Sequence, residues 1–270
     1  MLYYCNLLKY VKNLYTINIY MKYYIFLAFF IFIITICNFC YSKKINGGNN
    51  KLLENIYFIN LDESKDRLKT MNETAKKHNL KFIRYPAFHG KKINIDDFFK
   101  NKKIIFDYQK KPGDLGCALS HIYLWEKLIK KKHEYVLILE DDVILDDNFI
   151  ELFDKYYKQV PDDWDMIHLG SSWLKGKKIS ENILKTNNTI GSYAILYKLN
   201  TLKELIKKKV PMNNFLDLAI GSFITENNKN SYAFYPPLIK HNNNIISDRQ
   251  SMFFNKEVFN DKSQEKITLL

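Results

Sequence analysis

The sequence predicts an α/β domain on a mainly parallel central sheet, preceded by a separate apolar segment at the N-terminus. Three observations predict it. From Leu53 to about residue 250, short apolar runs of strand length alternate with stretches of helical periodicity. One run, Tyr135-Val136-Leu137-Ile138-Leu139, is apolar throughout and reads as a strand covered on both faces. It leads directly into Glu140-Asp141-Asp142, and open α/β sheets gather ligands just beyond the carboxyl ends of their strands.

Three adjacent carboxylates repel one another unless water, a donor or a cation offsets them. A hard divalent metal holding a substrate diphosphate suits such oxygen ligands. A solvated acidic turn that caps the next helix is the plainer alternative.

Composition narrows the classes. The chain has 270 residues, 47% hydrophobic and 15% aromatic, with a formal net charge of +12. Residues 1–50 hold five lysines and no acid; subtracting these five from 41 leaves 36 basic against 29 acidic residues in the remainder. A moderately basic body favours anionic ligands. No nucleic-acid-binding motif is present, so nucleic acid is not expected as a partner. Cys5, Cys37 and Cys40 lie in the N-terminal segment and Cys117 alone in the body, which excludes a disulfide framework within the domain.

Residues 1–22 form a short basic tail. Residues 23–41 are uncharged and apolar, long enough for most of a bilayer core. A signal anchor, with Lys9, Lys12 and Lys22 on the cytosolic side, is favoured over a signal peptide starting at Met21 and cleaved near Ser42. The body would then be lumenal or extracytoplasmic. Residues 42–52 are a linker containing Gly47-Gly48-Asn49-Asn50. The domain is expected over 53–250, with a tail over 251–270.

Within it, Ile56-Tyr57-Phe58-Ile59 is the first strand. Asp62 or Ser64 caps a helix to about His78. Lys81 to Tyr85 is a strand ended by Pro86, and Asp96 to Phe99 a helical turn. Pro112 to Gly116 reads as a loop entering a helix with Leu115, Leu119, Ile122, Leu128 and Ile129 on its apolar face. After the acidic triplet come a helix from Asn148 to Val160 and a strand from Met166 to Gly170. Ile190 to Tyr197 is a strand, Asn200 to Lys209 and Phe215 to Thr225 are helices, and Ser231 to Tyr235 is a strand. The polar tail from His241 is expected as a loop over the site.

Several segments, in order, resemble glycosyltransferase family 25, which includes lipopolysaccharide and procollagen galactosyltransferases. They are Ile59-Asn60-Leu61-Asp62 with Arg67 and Met71, then Gly113 to His121 with Trp125, then Leu139 to Val143. Trp164-Asp165 to Gly170, Pro236-Pro237-Leu238 and Ser247-Asp248 continue the pattern. Gly-x-x-Gly-Cys-x-x-Ser-His, at Gly113 to His121, is the most specific match. The sequence departs from the family at Asn213 and Asn214, where an acid is common, at His89 and at Arg249.

The resemblance implies a GT-A-like fold and a metal-dependent hexosyltransferase, expected to be inverting. It would move galactose or glucose from a UDP-sugar to a hydroxyl of a glycan or collagen-like chain. Asp142 is the first candidate ligand for Mn2+ or Mg2+, with Glu140 and His241 beside it. Asn60, Arg67, Ser120, Glu140, Asp141 and Asp248 are candidates for the nucleotide sugar. Asp217 is the candidate base, and His121 a second catalytic candidate. Each has a plainer role as well: a core histidine, a helix-surface acid, a salt bridge. The departures also motivate an alternative, a catalytically silent module that holds a glycan or a partner. A magnesium-dependent phosphohydrolase is the weaker third option.

Overall fold

The computed structural model describes residues 21–36, 50–93, 112–207, 215–245 and 268–269. The chain divides into two compact units, Met1–Gly48 and Asn49–Leu270. In the first, residues 21–36 form helix α1, with its apolar side chains exposed. Sixteen residues rise about 24 Å. Among the described residues no helix is long and apolar enough to cross a membrane. The expected span over 23–41 is therefore not found as one helix, and residues 37–41 lie outside the described part.

The second unit is a nine-stranded sheet with helices on both faces. Its strands are β1 (Ile56–Asn60), β2 (Phe82–Pro86), β3 (Tyr135–Glu140), β5 (Met166–His168), β6 (Trp173–Lys178), β7 (Ile183–Ile190), β8 (Ala194–Lys198), β9 (Ser231–Phe234) and β11 (Thr268–Leu269). They lie in the order β11-β6-β7-β9-β5-β8-β3-β1-β2. A separate antiparallel pair joins β4 (Val143–Leu145) to β10 (Ile239–His241).

The sheet is mixed, which corrects the expectation of a mainly parallel one. Neighbours β1/β2, β1/β3, β5/β9 and β6/β11 are parallel. Neighbours β3/β8, β5/β8, β7/β9 and β6/β7 are antiparallel. An apolar run specifies a buried strand but not its direction. Here β8 runs back between β3 and β5, and β6 and β7 form a hairpin.

Alternation along the inner strands divides the core. Tyr57, Ile59, Val136 and Ile138 join one apolar cluster; Ile56, Phe58, Leu137 and Leu139 join the other. The first cluster is covered by α3 (Pro112–Leu128), α5 (Leu199–Lys207) and α6 (Leu216–Glu226). The second is covered by α2 (Lys65–Lys77) and α4 (Phe149–Tyr157). Fully buried Trp125, Phe149 and Phe153 fill the space between helices and sheet.

Four local expectations change. α3 begins at Pro112 itself, a residue suited to the first helical position, so Gly113 and Gly116 sit inside the helix. Ser64 occupies the cap position of α2 without a side-chain cap bond, and Asp62 pairs with Arg84 instead. The expected strand 190–197 is broken at Gly191, whose φ of +105° ends β7 before β8 begins. β10 ends at His241, where the expected tail begins, and residues 242–245 form a turn. The expected turn at Asp96 to Phe99 lies outside the described residues.

Candidate functional site

The site forms where β1, β2 and β3 end together. Parallel register places Ile59 beside both Tyr85 and Glu140, so the three carboxyl ends stop at one level. A cleft of about 130 Å³ opens there. Its floor carries Glu140, Asp141 and Asp142; its walls include Arg67, the 87–91 loop, and Cys117, Ser120 and His121 of α3.

The wall depends on two glycines in contact. A Cβ on Gly90 would stand 1.6 Å from the Pro112 carbonyl oxygen, and one on Gly116 would stand 2.6 Å from that of Phe88. Ser120 fastens the same contact. Its hydroxyl accepts from the Phe88 N–H at 2.8 Å and donates to the Gly116 carbonyl at 2.6 Å.

The three carboxylates have different surroundings. Asp141 is buried and already compensated: Asn60 Nδ2 donates to Oδ2 at 2.6 Å, and Arg67 Nη1 to Oδ1 at 3.1 Å. Arg84 in turn holds Asn60, donating from Nε to its Oδ1 at 2.8 Å. Burial raises the Asp141 pKa, against the lowering effect of Asn60 and Arg67.

Asp142 is buried and has one side-chain partner. His241 Nε2 lies 3.0 Å from its Oδ2, while Oδ1 has no hydrogen-bond partner. The hydrogen bond to this carboxylate raises the His241 pKa, despite partial burial. Glu140 has other neighbours. Its Oε1 accepts from Ser192 Oγ at 3.1 Å and lies 3.4 Å from His121 Nε2 and 4.0 Å from Cys117 Sγ. The His121 contact has ion-pair distance but not hydrogen-bond geometry, and both ring nitrogens lack a hydrogen-bond partner. The distance measures proximity and the angles measure bonding, so this is a close approach, not a bond.

Asn60, Arg67, Ser120, His121, Glu140, Asp141 and Asp142 therefore meet at one cleft, with His241 bonded to Asp142. Asp217 does not line that cleft. Its Oδ2 accepts from the Gly191 N–H at 3.0 Å and its Oδ1 from the Leu218 N–H at 2.9 Å. Asp248 lies outside the described residues. Arg84 and Ser192 were not anticipated as site residues. A charged residue within the apolar run around Phe82-Ile83 was the available signal for Arg84; nothing local singled out Ser192.

The donor set suits a divalent cation at Asp142. A buried carboxylate oxygen without a partner, beside an imidazole nitrogen, offers an oxygen and a nitrogen to one ion. Asp141 has its own cation in Arg67.

The fold and the acidic cleft define an α/β protein with its site at the carboxyl ends of parallel strands. The family model described as glycosyltransferase family 25 (LPS biosynthesis protein) matches residues 53–221, and the chain belongs to that family. A glycosyltransferase 25 family member of Aedes aegypti is 28% identical over 256 residues, covering 78% of this chain and 41% of that one. A Haemophilus influenzae protein described as a putative glycosyltransferase is 29% identical over 184 residues, 63% of this chain and 62% of that one. Procollagen galactosyltransferase 2 of Mus musculus is 24% identical over 187 residues, 61% of this chain and 30% of that one. The chain thus spans less than two thirds of the length of each.

Proposed function

We propose that the chain transfers a hexose from a UDP-sugar to a hydroxyl of a glycan or collagen-like acceptor, using a divalent metal in a GT-A-type site. The observation that carries this reading is the unpartnered, buried Oδ1 of Asp142 beside His241. Asp142 and His241 would hold Mn2+ or Mg2+, which when bound offsets the charge of the departing diphosphate. Procollagen and galactose are the two terms in the name of the mouse relative.

The remaining residues position and exchange protons. Asn60 and Arg67 fix Asp141, and with it the turn that presents Asp142. An acceptor hydroxyl in the cleft meets His121 and Glu140, whose close approach lets the pair take its proton. Asp217 is less suited as base, because it does not line the cleft and both its oxygens accept from main-chain N–H groups. Direct displacement of the diphosphate from the opposite face gives inversion.

A donor screen by sugar-nucleotide hydrolysis, with and without manganese, tests the reading. Metal-dependent turnover of a UDP-hexose is expected. Binding of the donor without transfer to any acceptor in a broad panel would instead favour a silent binding module. No binding under any metal condition would end the enzyme reading. A lumenal or extracytoplasmic location, through the apolar run 23–41, completes the proposal. Mass spectrometry of the mature N-terminus tests it, and a start after Ser42 would exclude an anchor.

A further inference from the structure

We propose that Cys117, His121 and Glu140 form a second metal site in the same cleft, one selective for zinc. Cys117 and His121 are four residues apart on α3 and so share a helix face. Glu140 meets them from the end of β3. One ligand atom from each residue lies within 4.8 Å of the others.

The distances suit a small ion. Zinc bonds of about 2.0–2.3 Å put tetrahedral ligand atoms roughly 3.5 Å apart. Here Oε1 of Glu140 is 3.4 Å from His121 Nε2 and 4.0 Å from Cys117 Sγ.

The histidine is the independent sign of a missing ligand. Its side chain is 1% exposed, yet neither ring nitrogen has a hydrogen-bond partner. Such a ring is costly to bury unless something binds it. Trp125 packs edge-on against the imidazole, with ring centroids 6.1 Å apart. All three side chains line the cleft, so a fourth coordination position is open to water or ligand.

Ligand chemistry separates this site from Asp142 and His241. A thiolate with an imidazole suits zinc and disfavours manganese and magnesium. On the functional reading above, zinc there would occupy the His121–Glu140 pair and block transfer. Zinc binding itself does not depend on that reading.

Cobalt is the probe, added to the metal-free full-length chain. One equivalent should give a sulfur-to-cobalt charge-transfer band and the intense visible bands of a tetrahedral site. Cys117→Ser, at a partly exposed position, should remove the charge-transfer band. His121→Gln should weaken zinc binding more than about tenfold. If His121→Gln does not fold, Glu140→Gln should give the same loss. Asp142→Asn should leave the spectrum unchanged. No charge-transfer band in the wild type would overturn the proposal. So would a band that persists in Cys117→Ser, which traces to Cys5, Cys37 or Cys40, or one lost in Asp142→Asn. Undiminished zinc affinity in both His121→Gln and Glu140→Gln would overturn it as well.

Discussion

His241 and Asp142 are 99 positions apart in sequence and 3.0 Å apart in space. The β4–β10 pair brings them together. His241 stands opposite Val143, and the Asn242 N–H donates to the Asp142 carbonyl oxygen at 2.7 Å. A strand pair of three residues on each side thus holds a carboxylate and an imidazole in contact.

This pairing sets a pH dependence. The Asp142 carboxylate raises the His241 pKa above 6.5, so without metal the imidazolium persists to higher pH than usual. Imidazolium repels a cation, and a ligating imidazole must be neutral. Manganese affinity should therefore fall as the pH is lowered through the raised pKa of His241. Calorimetric titration at several pH values measures it. A flat profile in the wild type would remove His241 from the metal site.

Asp142→Asn keeps size and hydrogen-bonding capacity but removes the charge. Manganese affinity, and manganese-dependent UDP affinity with it, should drop more than about tenfold. The metal-free melting temperature should change little near neutral pH, because relief of carboxylate repulsion opposes loss of the His241 partner. Equal UDP affinity in the two proteins, measured with manganese present, would exclude Asp142 as a ligand.

Arg67→Met removes the cation paired with buried Asp141, at side-chain exposures of 18% and 9%. Breaking one side of a buried ion pair costs about 3 kcal/mol. Urea unfolding should show a loss of that order, and donor binding should fall because the turn carrying Asp142 loosens. A change within about 0.5 kcal/mol would mean that Asn60 alone suffices.

The sequence made some of this visible and hid the rest for identifiable reasons. β1 and β3 were legible because consecutive apolar residues leave few alternatives to a buried strand, and the acidic triplet marked their shared end. β6 was not legible. Trp173-Leu174-Lys175-Gly176-Lys177-Lys178 buries only Leu174 and Gly176, and its lysines read as surface. The hairpin it makes with β7 carries a register shift at Lys175/Gly176 that no local pattern announces. Asn60 and Arg67 were named as candidates, but their common partner Asp141 is 81 and 74 residues away. Only the parallel register of β1 with β3 shows that they meet.

His168 gives stability a separate pH dependence. It is fully buried, and burial depresses its pKa from 6.5 to about 4. Between these values the unfolded chain binds a proton that the folded chain does not. The stabilisation is complete above pH 6.5 and is lost as the pH falls through the folded pKa. The span corresponds to about 3 kcal/mol. Unfolding free energies from pH 7.5 down should fall less steeply in His168→Gln than in the wild type, by roughly that amount over the window. Parallel curves would locate the titration elsewhere.

Gly116→Ala places a methyl group 2.6 Å from the Phe88 carbonyl oxygen and 2.8 Å from the Gly90 nitrogen. Both contacts are backbone, so α3 and the 87–91 loop must separate. A cost of about 1–3 kcal/mol is expected, with weaker ligand binding in the cleft between them. An unchanged melting temperature with full donor affinity would show that the wall yields freely.

The position of β9 and β10 late in the chain has a consequence for biosynthesis. β9 pairs with both β5 and β7, and β10 delivers His241. On the ribosome, β1, β2 and β3 can associate while residues 231–241 are still unmade. Strands β5 and β7 must wait, with the edges that β9 will cover left open. Pairings across such sequence distances form slowly, and unpaired edges invite association with other chains. The contact between His241 and Asp142 therefore forms only after residue 241 has emerged.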